Sequence, residues 1–411
     1  MKKLLLVLLL MAIGAGCAHA HTREEVRAAW RAIEPAEAAA PFVETPGISA
    51  PYAPGVLSED ARREALDALN FIRWLAGLDP VRESIIYDDQ CQRAAVLLAA
   101  LDYVDHDAPR PADMDRDFYD AAHLGTSSGN IARFNWMRSG ILRDGVEYFV
   151  RDDGDVNLGV LGHRRWVLDP CMAATGFGLA NAASGMSYVV MYACDLGAPA
   201  SRRDWVGWPA PGAFPAELMH DHLAWSVSLD PDVYDLSASR PRVTLCEPAL
   251  GLRFEFDPRS GTGDGFCAVS DEAFGVGSCL IFRPDFSGTG FADYQQNQHW
   301  SVRIDGLKDR SGGDAALTYE TDMVSLRVQD PANIEISALE AALHAGESLA
   351  LSADVIPAYA DDLRVSWSST DPGVATVDAH GRVTAIAPGR CEIVCADCMG
   401  HTDACALTVS G

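Results

Sequence analysis

The chain has 411 residues, more than one ordinary hydrophobic core accommodates, so we expect roughly two to four domains. Its hydrophobic content of 48% is that of a globular protein, not a disordered one. With 32 Lys and Arg against 58 Asp and Glu, the net charge is −26. Nucleic acid and anionic membrane surfaces are therefore excluded as main partners, because their phosphates would be repelled.

Residues 1–20 have the layout of a secretory signal peptide. Lys2 and Lys3 form a basic start, residues 4–13 are apolar, and a small-residue triplet predicts cleavage after Ala20. No other apolar run is long enough to be a transmembrane segment. A weak lipobox ending at Cys17 leaves a lipoprotein as the less favoured alternative. We therefore expect a protein that is secreted or held at the cell surface.

The first part of the exported chain is predicted to be a linker followed by two helices. Residues 21–56 are rich in Ala, Pro and Glu and are interpreted as a linker with a short helix around Glu24–Ile33. Ser58 is a candidate N-cap for a helix that Gly77 ends. A second helix is expected over about residues 89–104.

Residues 106–162 are predicted to be irregular, apart from one helix at about 142–152. The apolar runs 166–168 and 188–192 are rich in residues that favour strands. Helices followed by a late sheet predict an α+β domain over residues 57–200.

The remainder of the chain is predicted to be all-β. Residues 201–216 are interpreted as a stiff linker rich in Trp and Pro, at the start of a region, 201–330, that forms a β-sandwich of unassigned family. Residues 331–411 alternate apolar and polar side chains, as in 363–367, 391–395 and 405–409, which predicts a second sandwich.

Two histidines in the α+β region are candidate functional residues. His106 follows the second predicted helix, and His163 opens the first predicted strand. Side chains at element ends can enter a cleft, where two imidazoles bind a divalent metal or share a proton. The alternative is that each histidine only hydrogen-bonds its own loop.

Residues 60–196 resemble the CAP (SCP-like) domain of the cysteine-rich secretory protein, antigen 5 and pathogenesis-related 1 family. The matching features are 69–73 (Leu-Asn-Phe-Ile-Arg), a histidine after the second helix, 162–164 (Gly-His-Arg) and 176–178 (Gly-Phe-Gly). The resemblance implies an α-β-α sandwich whose cavity, lined by two histidines and two acidic residues, can hold a divalent metal such as zinc. It places His106 and His163 at the two histidine positions.

The acidic positions depart from the family pattern. The family's Gly-Glu-Asn motif corresponds here to Ser128-Gly129-Asn130, so Asn130 is kept and the glutamate is absent. Asp152, three residues after Phe149, is the stand-in for the second acidic residue. The resemblance thus implies a cleft of His106, His163, Asp152 and Asn130, in which His106 and His163 would hold a metal weakly.

Two further motifs point to other chemistry. Residues 125–129 fit G-x-S-x-G with Ser127 as nucleophile, but the residues before them do not form the strand that this elbow needs. Asp153, Asp155 and Asn157 resemble the start of a calcium loop, yet the glycine and the final glutamate that such a loop requires are missing. We interpret neither motif as functional.

Ten cysteines remain after the signal peptide, and export permits disulfides. In the last domain Cys391 and Cys395 share the apolar phase of one strand and Cys405 that of the next. With Cys398 and His401 nearby, the alternatives in order of preference are a disulfide, free thiols and a zinc site.

Residues 334–409 resemble the bacterial immunoglobulin-like group 2 (BIG2) domain. The matching runs, in order, are 367–371 (Trp-Ser-Ser-Thr-Asp), 374–378 (Val-Ala-Thr-Val-Asp), 381–385 (Gly-Arg-Val-Thr-Ala) and 388–389 (Pro-Gly). The resemblance implies a surface-displayed spacer or adhesive sandwich without catalytic residues. Trp367 is accordingly interpreted as a core residue.

The sequence as a whole predicts an exported binding or surface-interaction protein. Its ligand would enter the two-histidine cleft and would be a small lipid-like molecule, a metal or a host or cell-surface molecule. The alternative is a metal- or histidine-assisted extracellular hydrolase acting in the same cleft, and a third hypothesis is a structural spacer. The missing glutamate favours binding over catalysis, because it removes a candidate general base.

Overall fold

The computed structural model describes residues 20–35, 37–135, 138–154, 156–195, 197, 203–275 and 277–411. The predicted signal peptide up to residue 19, including Cys17, lies outside these residues. The chain forms two compact units. The first contains the described residues up to Tyr294 together with Gln298–Val324, and the second contains Gln295–Asn297 and Ser325–Gly411. Strands predominate, and all the α-helices of the described residues lie in the first unit.

The first unit begins with an α+β region that extends to about residue 195. Its helices are α1 (Arg23–Ile33), α2 (Glu59–Leu75), α3 (Ile85–Leu101), α4 (Arg116–Ser128), α5 (Ile141–Arg151) and α6 (Gly162–Val167). Its strands are β1 (Phe42–Glu44), β2 (Val56–Leu57), β3 (Arg82–Glu83), β4 (Gly129–Phe134), β5 (Ala174–Thr175), β6 (Phe177–Asn181) and β7 (Ser187–Tyr192). The helix α2 begins as predicted, because the Ser58 side chain accepts a hydrogen bond from the Ala61 N–H at 3.1 Å.

Helices cover both faces of an antiparallel sheet with the strand order β4-β7-β6. On one face α3 approaches β6 so closely that a Cβ on Gly178 would lie 2.0 Å from the carbonyl oxygen of Cys91. Successive side chains of β7 point to opposite faces of the sheet, and Val189 points to the face that α5 covers. A Cβ on Gly145 of α5 would lie 2.6 Å from a methyl carbon of Val189. Gly178 is needed because the helix and strand backbones nearly touch there, and Gly145 because the Val189 side chain fills the space that a Cβ would occupy.

Two of the sequence predictions for this region are wrong. Residues 116–134, predicted as irregular, form α4 and β4. The run 166–168, predicted as a strand, lies largely in α6, so His163 sits in a short helix. Three apolar residues do not distinguish a strand from a buried helical turn.

The segment 21–56 is folded and is not an extended linker. The predicted helix is present as α1, with a capping box between Thr22 and Glu25. Val26 is fully buried, and the rings of Trp30 and Phe71 lie 5.4 Å apart, so α1 packs on α2.

The remainder of the first unit is a β-sandwich of two sheets. Its strands are β8 (Trp205–Trp208), β9 (Gly212–Pro215), β10 (Trp225–Leu229), β11 (Arg242–Glu247), β12 (Leu252–Asp257), β13 (Thr262–Gly263), β14 (Gly265–Ser270), β15 (Ser278–Pro284), β16 (His299–Lys308) and β17 (Asp314–Val324). The sheets have the orders β14-β15-β10-β8 and β13-β12-β11-β16-β17-β9. The ring of Trp225 in the first sheet lies 5.9 Å from that of Trp300 in the second.

The stretch 201–216 is therefore not a linker as predicted. Its described residues supply β8, which pairs with β10, and β9, which pairs in parallel with β17. The predicted boundary between 57–200 and 201–330 falls inside the first compact unit.

The second unit is all-β. Its strands are β18 (Asn333–Ile336), β19 (Glu340–His344), β20 (Ser348–Ala350), β21 (Ala353–Ile356), β22 (Ser366–Ser369), β23 (Ala375–Val377), β24 (Arg382–Ala385), β25 (Gly389–Ala396) and β26 (Thr402–Ser410). The alternating runs 391–395 and 405–409 lie in β25 and β26, as predicted. Trp367 packs against the core, and Gly381, at φ +76°, lets the chain pass beneath its ring.

Candidate functional site

The side chains of Asp152 and His163 form a hydrogen-bonded pair. The helix α5 ends at Arg151, which places Asp152 at its C-cap, and His163 lies in α6. The ring Nδ1 of His163 is 3.0 Å from Oδ1 of Asp152. Asp152 is only 3% exposed, whereas the His163 side chain is 17% exposed. A buried carboxylate that accepts from Nδ1 favours the tautomer with a proton on Nδ1, so Nε2 carries the lone pair.

Two asparagines complete this arrangement. Asn157 donates from Nδ2 to Oδ1 of Asp152 at 2.9 Å and lies 3.1 Å from the Nδ1 of His163. Asn130, which is 1% exposed at the start of β4, donates from Nδ2 to the backbone carbonyl of His163 at 3.0 Å. The backbone N–H of Arg164 donates to Oδ2 of Asp152 at 3.3 Å. Both carboxylate oxygens are thus occupied by neighbours within the chain.

The backbone on either side of this cluster adopts an unusual conformation. Asp152 has φ 49° and Leu161 has φ 48°, values that side-chain-bearing residues seldom adopt. These left-handed residues end α5 and begin α6, and they turn the intervening segment so that Asn157 reaches Asp152. A strained backbone conformation persists only where several surrounding contacts hold it in place. Here the hydrogen bonds to Asp152 hold it.

His106 is anchored separately, at the C-terminal turn of α4. Its Nδ1 donates to the carbonyl oxygen of Thr126 at 2.8 Å, and the Thr126 hydroxyl donates back to the His106 carbonyl at 3.1 Å. Nearby, Nε2 of His123 is 2.9 Å from Oδ1 of Asp107. His106 is exposed. Its described contacts do not include any member of the cluster around His163, so the common cleft remains a prediction.

Among the described residues, the serine of the G-x-S-x-G motif has no histidine ring as a hydrogen-bond partner. Ser127 lies in the last turn of α4, not in a loop as predicted, and its hydroxyl donates to the backbone carbonyl of His123 at 2.7 Å. A hydroxyl that donates to a helix carbonyl is not activated as a nucleophile.

The donor set does not fit the divalent metal that the resemblance implies. Across the described ranges, no group of three or more His, Cys, Asp or Glu side chains could hold a metal ion. Asp152, the only carboxylate of the predicted cleft, directs its oxygens to His163 and Arg164. Asn157, part of the calcium-like pattern, also donates to this carboxylate, while Asp155 lies outside the described residues.

The ten cysteines among the described residues are free thiols. The disulfide that the alternation in β25 and β26 favoured is not formed, and Cys395 instead donates to the carbonyl of Asp403 at 3.4 Å. Burial raises the pKa of the Cys395 thiol, as it does that of Cys405, so both are held in the protonated form.

The cluster can offer a ligand one oriented imidazole. Because Nδ1 is held by Asp152, Nε2 of His163 can accept a proton or a hydrogen bond from a ligand. Sequence reasoning found Asp152, Asn130 and His163 but missed Asn157, whose amide closes the cluster. The available signal was its place in the Asp-rich turn directly before His163, which was considered only as a calcium ligand.

Comparisons with known proteins give a match for the second unit. Residues 331–401 match the family model of the bacterial Ig-like domain (group 2). No curated protein matches the chain. No helix of the described residues is long and apolar enough to cross a bilayer.

Solved structures give only distant likenesses. An intimin mutant of EHEC O157:H7 aligns at 20% identity over 18% of this chain and 45% of that chain, with a TM-score of 0.16. The N-terminal part of the bacterial S-layer protein SbsC aligns at 12% identity over 46% and 41%, with a TM-score of 0.18. This chain thus spans less than half the length of either structure, and these scores carry no argument. The family match alone leads to an assignment: residues 331–401 are a bacterial Ig-like domain of group 2.

Proposed function

We propose that the chain is an exported binding protein, secreted or displayed at the cell surface, that takes a small molecule or lipid-like ligand beside His163. The observation that carries the proposal is the Asp152–His163 pair, in which Asp152 holds Nδ1 and the His163 side chain is 17% exposed. A group 2 Ig-like domain supports the extracellular location, because this domain is typical of displayed proteins. The CAP resemblance of residues 60–196 supports binding in a cleft.

Both histidines hydrogen-bond residues at the junction of α4 and β4, which supports a cleft that includes His106. His106 hydrogen-bonds Thr126 at the end of α4, and His163 hydrogen-bonds Asn130 at the start of β4. Four residues of chain span at most ~14 Å, which limits the separation of the two anchor points. The two histidines are thus attached to neighbouring points of the chain, which supports one cleft that a small ligand would enter.

The test is whether His163 retains a co-purified ligand. Small molecules released from the full exported chain are identified by mass spectrometry, and their binding is measured by calorimetry. For His163→Ala we expect about tenfold weaker binding, because a hydrogen bond to an oriented imidazole is lost. His380→Ala, in the second unit, is the control and should bind as the parent does. Equal affinity of parent and His163→Ala would contradict the proposal.

A hydrolase acting in the same cleft is the second candidate, and the Asp–His pair itself favours it. An imidazole oriented by a carboxylate is the usual general base of nucleophilic catalysis. A panel of peptides and esters tests this with the parent and the double variant His106→Ala, His163→Ala. Turnover in the parent that the double variant loses would replace binding with catalysis as the function.

A further inference from the structure

The residues on either side of His163 are buried against the middle β-sandwich. Leu161 is 1% exposed and packs with Ala224, Cys279 and Ile281 of that sandwich. A Cβ on Gly162 would lie 3.4 Å from the ring of Phe274. Within the segment 161–165, therefore, His163 turns towards Asp152 while its neighbours face the sandwich.

Arg164 makes the most extensive of these contacts. Its side chain is fully buried. Nε donates to the carbonyl of Val150 and Nη2 to that of Arg151, both at 2.6 Å, so the guanidinium caps the C-terminus of α5. Nη1 donates to the carbonyl of Ala224 at 2.6 Å and to the hydroxyl of Ser226 at 3.3 Å, both in or beside β10. One side chain thus joins the helix that carries Asp152 to the middle sandwich.

Arg165 makes a second connection to the same sheet. Its Nη2 donates to the carbonyls of Glu272 and Gly277, both at 2.6 Å, and its Nη1 to the hydroxyl of Ser270 at 2.9 Å. These acceptors lie at the end of β14 and in the turn that leads to β15. The guanidinium also lies 5.5 Å from the centre of the Phe274 ring.

A buried guanidinium fixes its surroundings more firmly than an apolar contact does. Burial lowers the pKa of Arg164 to about 10, with Asp152 acting in the opposite direction, so the side chain is still a cation at neutral pH. A cation without water must keep its hydrogen bonds, because losing one leaves a charged donor unsatisfied. The guanidinium therefore fixes the position of the end of α5 relative to β10.

We propose that Arg164 is the positioning residue through which the middle β-sandwich sets the Asp152–His163 geometry of the ligand site. This inference rests on the proposed function, since it takes His163 as the residue that meets the ligand. The sandwich then orients the imidazole by holding the residues on both sides of it. It gives the region of unassigned family a role beyond that of a spacer.

The test observes His163 directly in the full chain. With ¹⁵N-labelled histidine, the parent should show the neutral His163 ring as one tautomer with a proton on Nδ1. In Arg164→Lys the planar fork of donors is lost. We expect the two tautomers to average and exchange of the Nδ1 proton with water to become about tenfold faster, as for a weakened hydrogen bond. Ser226→Ala, which removes one acceptor only, should shift the signals in the same direction by less.

Arg73→Lys is the matched control. Arg73 is equally buried, burial lowers its pKa to about 10, and it donates to the carbonyls of Val167, Asp169 and Met172. Because these acceptors lie at or beyond the end of α6, and not on α5 or the sandwich, Arg73→Lys should lower stability without changing the tautomer of His163. Parent-like His163 signals in Arg164→Lys would overturn the inference. If Arg164→Lys does not fold, parent-like signals in Ser226→Ala would do so.

Measurements of ligand binding distinguish a failure of the Arg164 inference from a failure of the proposed function. If His163→Ala loses the co-purified ligand while Arg164→Lys keeps it at parent affinity, the positioning role is wrong and the binding site stands. If His163→Ala keeps the ligand, the proposed function is wrong whatever the tautomer of His163.

Discussion

Asp152 is the residue on which the geometry of the site depends. It accepts hydrogen bonds from the His163 ring, the Asn157 amide and the Arg164 backbone, and it does so from a left-handed position at the end of α5. A carboxylate suits this position because it offers several acceptor sites and no donor.

Replacing Asp152 with Ala should destabilise the first unit. Three donors would lose their acceptor in a buried place, which costs about 1–3 kcal/mol of unfolding free energy. Urea denaturation measures the loss. Asp153→Ala, at the exposed neighbouring position, should change stability by less than about 0.5 kcal/mol. Equal losses for the two variants would show that the cluster contributes nothing beyond an ordinary surface aspartate.

The pair of His299 and Asp322 on β16 and β17 should make stability depend on pH. The hydrogen bond that the His299 ring donates to the Asp322 carboxylate raises the pKa of His299 above its usual value, and the charges of Glu320 and Glu247 add to the effect. Because the folded-state pKa is raised, the stabilisation is complete below about pH 6.5 and is lost as the pH rises through the folded value. Asp322→Asn should cost under about 1 kcal/mol at pH 5.5 and almost nothing at pH 9. A constant difference between parent and variant over that range would contradict this.

The residues of the site could be predicted unequally well. The resemblance of residues 60–196 located His163, Asp152 and Asn130 as candidates, because each stands at a fixed place in a motif. Arg164 was noticed only as the residue after His163. One of its hydrogen-bond partners, Ala224, is sixty residues further along the chain, and no local sequence pattern predicts such a contact.

At the scale of elements, strong periodicity was a good guide and short runs were not. The helices α2 and α5 were predicted closely, and β7 was predicted from its run of strand-favouring residues. The helix α4 was missed because Gly125 and the adjacent serines suggested a loop. That glycine is required by packing, since a Cβ there would lie 2.4 Å from the carbonyl oxygen of Gln90 in α3.

The first turn of α3 contains a carboxyl group that should titrate near neutrality. Asp88 accepts the N–H of Phe177 at 2.8 Å and so joins α3 to β6. Burial raises its pKa to about 7, and Glu83 adds to this, while the Phe177 hydrogen bond and Arg62 oppose it. The folded state therefore holds a proton that the unfolded chain releases near pH 3.8, its ordinary value.

Stability should consequently decline as the pH rises from about 4 to about 7. Asp88→Asn keeps an acceptor for Phe177 without the charge, so its stability relative to the parent should increase over this interval and then level off. Asp89→Asn, at an exposed position that pairs with Arg93, is the control and should not show this trend. Denaturation curves at four pH values measure the difference, and a flat profile for Asp88→Asn relative to the parent would count against the raised pKa.

At the scale of the whole molecule, chain length predicted several domains, and the resemblance of residues 334–409 predicted a group 2 Ig-like domain, which the family match at 331–401 confirms. The boundary near residue 200 was drawn from a stretch rich in Trp and Pro, in which Trp205, Trp208 and Pro215 in fact lie in strands of the sandwich. Composition could not show that Leu161, Arg164 and Arg165 need the sandwich to bury their side chains.

A fragment of residues 57–200 should therefore fold poorly, whereas residues 20–324 should fold. The shorter fragment exposes Leu161 and removes the acceptors that Ala224 and Ser226 provide for Arg164. Limited proteolysis and near-ultraviolet circular dichroism of the two fragments check this. Protection of the 57–200 fragment equal to that of 20–324 would show that the α+β region is autonomous.

The contacts of Arg164 also bear on how such a protein can change over evolution. The Arg164 guanidinium donates hydrogen bonds both to the end of α5 and to the residue before β10. The α+β region and the middle sandwich therefore constrain each other's evolution. Recombination that exchanged the sandwich for an unrelated one would leave the buried Arg164 cation without part of its hydrogen-bond acceptors. We expect the two regions to be inherited together, and variants of one to select compensating variants in the other.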